Sequence, residues 1–125
     1  MAYEGDQVRV PGLSADTDLS GHQFGIVALG TNPGTVTIAT AAGTGGFVLQ
    51  NDPAEGQAAA VCMSGVSKLR AGSAGFNRGD IVTNDASGLG VASAGGGYAV
   101  GIALEDTPAG AVGTIAVEFF YVPAP

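Results

Sequence analysis

The chain has 125 residues, a formal net charge of −7, and 46% hydrophobic against 12% charged residues. That length suits one ordinary domain. Four basic residues against eleven acidic ones exclude the clustered Lys and Arg that a nucleic-acid partner needs. No apolar run approaches the roughly 18 residues of a membrane span, and the opening Met1-Ala2-Tyr3-Glu4-Gly5-Asp6 lacks the basic-then-apolar pattern of a signal peptide. No membrane partner and a cytosolic origin are expected.

Twenty-two glycines and six prolines accompany a positive mean hydropathy. The combination reads as short strands joined by Gly-rich turns, because disordered chains are depleted in apolar residues. In chain order, Gln7-Val8-Arg9-Val10 alternates polar and apolar and stops at Pro11-Gly12. Residues 13–23 read as polar and turn-like, with Ser14, Asp16, Asp18 and Ser20 placed to bond nearby backbone amides. Residues 24–29 form a buried-type run, Asn32-Pro33-Gly34 a turn, and residues 35–40 a returning strand, so the pair predicts a hairpin. Residues 47–50 give the next strand. Residues 58–63 and 66–70 flank Ser64-Gly65 and predict a tight hairpin, with a helix starting at Ala58 as the alternative.

Further strands are expected over residues 81–83, 89–92, 98–104 and 114–122, with turn signals at the spacing of a sandwich or barrel. No segment carries a 3.6-residue apolar stripe of helix length. The fold predicted is all-β: a small single-domain β-sandwich or β-barrel with Gly/Ala-rich loops. An extended N-terminal arm with the first strand is expected over residues 1–20, and the β domain over 21–125. A core built largely of Ala and Val, with no Trp, is thin, and thin cores are often completed by further copies of the chain.

The residues that could carry chemistry have structural readings instead. His22 is the sole histidine and lies between Gly21 and Gln23 with nothing to position a nucleophile. Cys62, the sole cysteine, sits in an apolar run where a thiol behaves as a small hydrophobe. Asp16 with Asp18, or Asp80 with Asp85, lack the loop length and closing Glu of an EF-hand. The glycine clusters at 43–46 and 95–97 lack the Lys and Ser/Thr of a phosphate loop. Arg78-Gly79-Asp80 spells an integrin tripeptide but reads as the opening of a strand. No catalytic residue, metal ligand or cofactor is expected. The run Phe119, Phe120, Tyr121 is different. Neighbours on a strand face opposite sides, so one Phe is expected in the sheet interior and the other at a second surface, read here as a subunit interface.

One resemblance runs through the C-terminal half. Gly65-Val66-Ser67-Lys68-Leu69, Ala71-Gly72, Arg78-Gly79-Asp80-Ile81-Val82, Asp85, Gly88, Val100-Gly101-Ile102-Ala103-Leu104-Glu105 and Pro108-Ala109-Gly110 follow one another in this order. The order resembles a family of phage capsid decoration (cement) proteins, and Glu4-Gly5-Asp6-Gln7-Val8 is similar to that family's opening strand. The resemblance covers about half of the chain and weakens over its first fifty residues. It implies a non-enzymatic homotrimer that binds the major capsid protein on the outer surface of a mature icosahedral head and stiffens it. The location implied is the virion, after synthesis in the host cytoplasm. Tyr3, Arg9 and Leu13 are the expected capsid contacts, and Phe119, Phe120 and Tyr121 the expected subunit contacts. The alternative is a head- or tail-associated host-glycan-binding module, for which Tyr3, Tyr98 and Tyr121 are the candidate platforms.

Overall fold

The computed structural model describes residues 2–125. Among these, regular structure consists of strands only: β1 Gln7–Arg9, β2 Ser14–Ala15, β3 Ile26–Leu29, β4 Thr35–Ile38, β5 Phe47–Leu49, β6 Val61–Arg70, β7 Ile81–Asn84, β8 Gly90–Ala92, β9 Gly97–Ala103 and β10 Val112–Val122. They form one sheet in the order β2-β4-β3-β5-β6-β10-β9-β7-β8, with β1 added on β6. All pairings between strands are antiparallel except β2 with β4. The all-β single small domain is what turn spacing predicted. The sheet is open rather than closed by a strand ladder.

Its two halves are nevertheless tied together. The β3 amide of Ile26 donates to the Gly88 carbonyl in the β7–β8 turn at 2.7 Å, and the Gly43 amide donates to the Asn84 carbonyl at 3.3 Å. Asn84 itself is fully buried at the end of β7. Its side-chain oxygen accepts from the Gly45 amide at 2.8 Å, and its Nδ2 donates to the Ala41 and Asp85 carbonyls at 2.9 and 2.8 Å. One amide side chain thus ties the β4–β5 connection to the far end of the sheet. Asn suits this role because it offers donors and an acceptor without charge.

Rolling the sheet produces two cores. Ile26, Val48 and Cys62 belong to one buried cluster, with Leu69, Val82, Val100, Ile115 and Val117. Their immediate neighbours Val27, Leu49 and Val61 belong to the other, with Ala15, Leu19 and Val36. Successive side chains of a strand point to opposite faces, so β3, β5 and the start of β6 are covered on both sides. That is why they read as unbroken apolar runs. Within the 1–20 segment, residues 14–20 supply β2, Ala15 and Leu19 to this second cluster. The polar look of residues 13–23 hid Leu19, which is completely buried.

The hairpin expected at Ser64-Gly65 is absent: β6 runs straight through it, from Val61 to Arg70. The helix alternative at Ala58 is also absent. β10 pairs continuously along β6 from Val112 opposite Arg70 to Glu118 opposite Ser64, and such a ladder leaves no room for a reversal. Gly65 is there because the N-terminal segment crosses close by. It holds φ +113°, and a Cβ built on it would run into the Asp6 carbonyl and lie 2.8 Å from the Gln7 Cα. The crossing segment is tied down by the Gly5 amide to the Val66 carbonyl at 3.1 Å, Gln7 Nε2 to the same carbonyl at 3.0 Å, and the Tyr3 amide to Thr114 Oγ1 at 2.9 Å. A Glu4–Lys68 pair at 3.9 Å is exposed enough to add little.

Candidate functional site

The most distinctive surface is a row of aromatic rings carried by β5, β9 and β10. It originates in a bulge. Val117 pairs with Gly101 and Phe120 with Ala99, so Glu118 and Phe119 together oppose the single residue Val100. The extra residue breaks the strict alternation that places Ile115 and Val117 in the core. Past the bulge, the odd-numbered Phe119 and Tyr121 turn outward, 46% and 56% exposed.

Phe119 then stacks on Tyr98 with centroids 4.8 Å apart and rings 21° from parallel. On its other side it stacks on Phe47 at 6.2 Å and 20°. Tyr121, the register partner of Tyr98, meets it edge-on at 5.5 Å and 76°. Offset stacks and T-shaped contacts at these separations are the favoured geometries for aromatic pairs. Gly46 makes the arrangement possible, since a Cβ there would sit 2.6 Å from two carbons of the Phe119 ring. Beside the row lies an open groove of about 430 Å³ lined by Leu29, Thr44, Gly46, Phe47, Tyr98 and Phe119. Leu29 is 69% exposed. The lining carries no charged side chain, and the hydroxyls of Tyr98 and Tyr121 make no hydrogen bond among the described residues.

The interface residues expected from sequence fall differently from one another. Phe119 and Tyr121 belong to the ledge. Phe120, opposite the buried Ala99, is half-buried and joins neither ring stack nor core cluster, so the two Phe do part and Phe119 is the one displayed at a surface. The bulge is what turns Phe119 outward. The three expected capsid contacts are not gathered by any hydrogen bond among the described residues. Tyr3 is exposed over β10, Arg9 is exposed with its Nε donating to Gln7 Oε1 at 3.2 Å, and Leu13 packs on the second core cluster.

No family model and no curated protein matches this chain.

The acidic residues weighed as metal ligands serve turns. Asp16 accepts from the Thr31 amide and Asn32 Nδ2, Asp80 from the Asn77 amide, and Asp85 from the Ser87 and Leu89 amides. Asp18 accepts from the Ser20 hydroxyl and amide, and the hydroxyl above all holds its carboxyl below the usual range. Among the described residues no three His, Cys, Asp or Glu side chains converge as a metal group. His22 sits in a backbone turn, its amide donating to the Leu19 carbonyl at 3.1 Å. Arg78 and Gly79 form the tip of a turn closed by the Asp80 amide on the Asn77 carbonyl at 3.0 Å.

Cys62 is fully buried, and burial pushes its thiol above the usual value. The thiolate is the reactive form. A thiol reagent at neutral pH is therefore expected to leave native protein unlabelled over an hour and to label it stoichiometrically in urea. Fast native labelling would show that the cluster around Cys62 opens readily.

Phe47, Tyr98 and Leu29 were not legible as partners of Phe119. Their juxtaposition depends on sheet order, which brings residues 29, 47, 98 and 119 together from four separate strands. The nearest available signal was Gly45-Gly46 just before an aromatic strand residue, a glycine pair consistent with a ring lying against backbone.

Proposed function

We propose that this chain is a structural capsid decoration protein. In this reading it binds the outer surface of a mature icosahedral phage head as a homotrimer, contacts the major capsid protein, and stabilises the shell without covalent chemistry. The observation that carries the proposal is the exposed aromatic ledge on a rolled, all-β scaffold. Exposed apolar patches rimmed by polar residues mark interaction surfaces, and Tyr and Phe are enriched where proteins meet. The segments that resemble the decoration family also build the half of the sheet beneath the ledge. Gly79-Asp80-Ile81-Val82 leads into β7, and Val100-Gly101-Ile102-Ala103 is the body of β9, the strand that carries Tyr98.

A trimer that engages three equivalent sites turns weak single contacts into firm attachment, because the second and third contacts are intramolecular. Binding only the expanded lattice stabilises that lattice by mass action. The net charge of −7 suits an outer face turned away from packaged nucleic acid.

The test is cosedimentation of the purified chain with expanded and unexpanded heads. Saturable retention on expanded heads alone is the expected result, and retention on neither would overturn the proposal. The glycan-binding alternative draws on the hydroxyls of Tyr98 and Tyr121, which make no hydrogen bond among the described residues. It is weakened by the groove's scarcity of polar groups, since the Thr44 hydroxyl is already committed to the Ala41 carbonyl at 2.6 Å and sugar sites need several converging polar groups. Binding to a glycan array together with failure on both kinds of head would favour that alternative.

A further inference from the structure

We infer that the ledge formed by Phe47, Tyr98, Phe119 and Tyr121, with Leu29 at its edge, is the surface through which copies of this chain associate with one another. The inference rests on the homotrimer reading above and assigns that assembly its contact surface.

Charge is the first argument. Two identical chains carrying −7 each repel across any face rich in carboxylates, and like charges brought together at an interface are costly. The ledge and its groove contain no charged side chain, so three copies whose ledges converge on a threefold axis desolvate no ion there and oppose no pair of like charges. The N-terminal face is the contrast, since Glu4 and Asp6 are exposed on it. A basic partner would be drawn to such acidic faces; a second acidic copy is best accommodated on an uncharged one.

Area is the second argument. Aromatic side chains cover about 150–250 Å² each. Tyr98, Phe119 and Tyr121, each about half exposed, together with Leu29 at 69%, therefore present roughly 400 Å² of apolar surface. A standard interface takes about 800 Å² from each partner, of which about 57% is non-polar. The apolar share required is close to what the ledge offers, with the polar loops around it left to form the rim. The stacking adds rigidity. Rings already held by Tyr98–Phe119 and Phe47–Phe119 contacts lose little rotamer freedom on association, which lowers the entropic cost of binding.

Phe119 is expected to dominate, because it lies centrally between Tyr98 and Phe47 and central aromatic anchors carry most interface energy. The experiment is sedimentation velocity across a concentration series, on the wild type and on Phe119→Ser, Leu29→Ser and Ile102→Ser. Wild type is expected to sediment as a trimer of the 12.1-kDa chain. Phe119→Ser is expected to raise the dissociation constant about 30-fold or more and Leu29→Ser about 5-fold, with thermal melting of each variant checked for a retained fold. Leu29 is so exposed that its loss leaves the fold intact, which keeps the test valid should Phe119→Ser unfold. Ile102, exposed on β9 away from the groove, serves as the control.

A wild type that remains monomeric overturns the inference, as does undiminished assembly of Leu29→Ser and a folded Phe119→Ser, or equal weakening by Ile102→Ser. Protection of the ledge from hydrogen exchange only when heads are added to a monomeric protein would make the capsid its occupant and also overturn the inference. Assembly through the ledge without head binding would leave it standing while the decoration role fails. Head binding by a monomer would do the reverse.

Discussion

Asn84→Ala is expected to destabilise the domain by about 3–4 kcal/mol, lowering the melting temperature by roughly 10–15 °C. The effect exceeds that of an ordinary polar-to-Ala change because of what is stranded. The Gly45 amide and the Ala41 and Asp85 carbonyls lose their bonds to this one side chain at a fully buried position. A buried polar group left unpaired costs about 1–3 kcal/mol. Asn84→Asp is expected to fare no better, since a carboxylate cannot donate to the two carbonyls and would be a buried charge. Urea melts monitored by tyrosine fluorescence measure both variants. If Asn84→Ala melts with the wild type, the two halves of the sheet are held together by something other than this side chain.

Gly65→Ala is expected to cost about 2–4 kcal/mol, from adopting a positive φ with a side chain and from the clash with the crossing segment. The Cβ cannot be accommodated by a rotamer change, because what it meets is the backbone of Asp6 and Gln7. The N-terminal segment must therefore lift away. The amides of Gly5 and Val66, which bond to Val66 and Asp6 carbonyls, should lose their protection from hydrogen exchange. Residues 2–10 should become sensitive to protease while β6 and β10 stay intact. Tyr3 and Arg9 travel with that segment, so under the proposed decoration role, with these residues as capsid contacts, head binding should weaken even where association between copies is preserved. Retained protection at Gly5 would mean that the segment does not depend on the missing side chain at position 65.

The strand positions were largely readable because apolar alternation and Gly/Pro punctuation are local signals. The edges predicted for the strands at 35–40, 47–50, 81–83 and 98–104 lie within two residues of those observed. What failed was non-local. Ser64-Gly65 carries the local chemistry of a tight turn, and only the presence of another chain segment beside it explains a glycine within a straight strand. Leu19 stands among polar residues, and its burial comes from packing in one cluster with Val36, Leu49 and Val61, all distant in sequence. Asn84 directly follows the strand predicted over residues 81–83, a position where Asn is common for reasons unrelated to closing a sheet. Which of Phe119 and Phe120 faces outward depends on the bulge between Val117 and Phe120, and a residue count against a partner strand is not a local signal.

The bulge in β10 has a consequence for how such a surface could arise or vanish. In a ladder of two residues against two, Phe119 and Tyr121 would share the side of Ile115 and Val117 and be swallowed by the interior. With two against one, the same letters in the same order are displayed. The outward identity of this end of the molecule is thus recorded in a count of residues rather than in their kinds. A lineage could gain or lose it through a single inserted codon, with no change that a comparison of compositions would register.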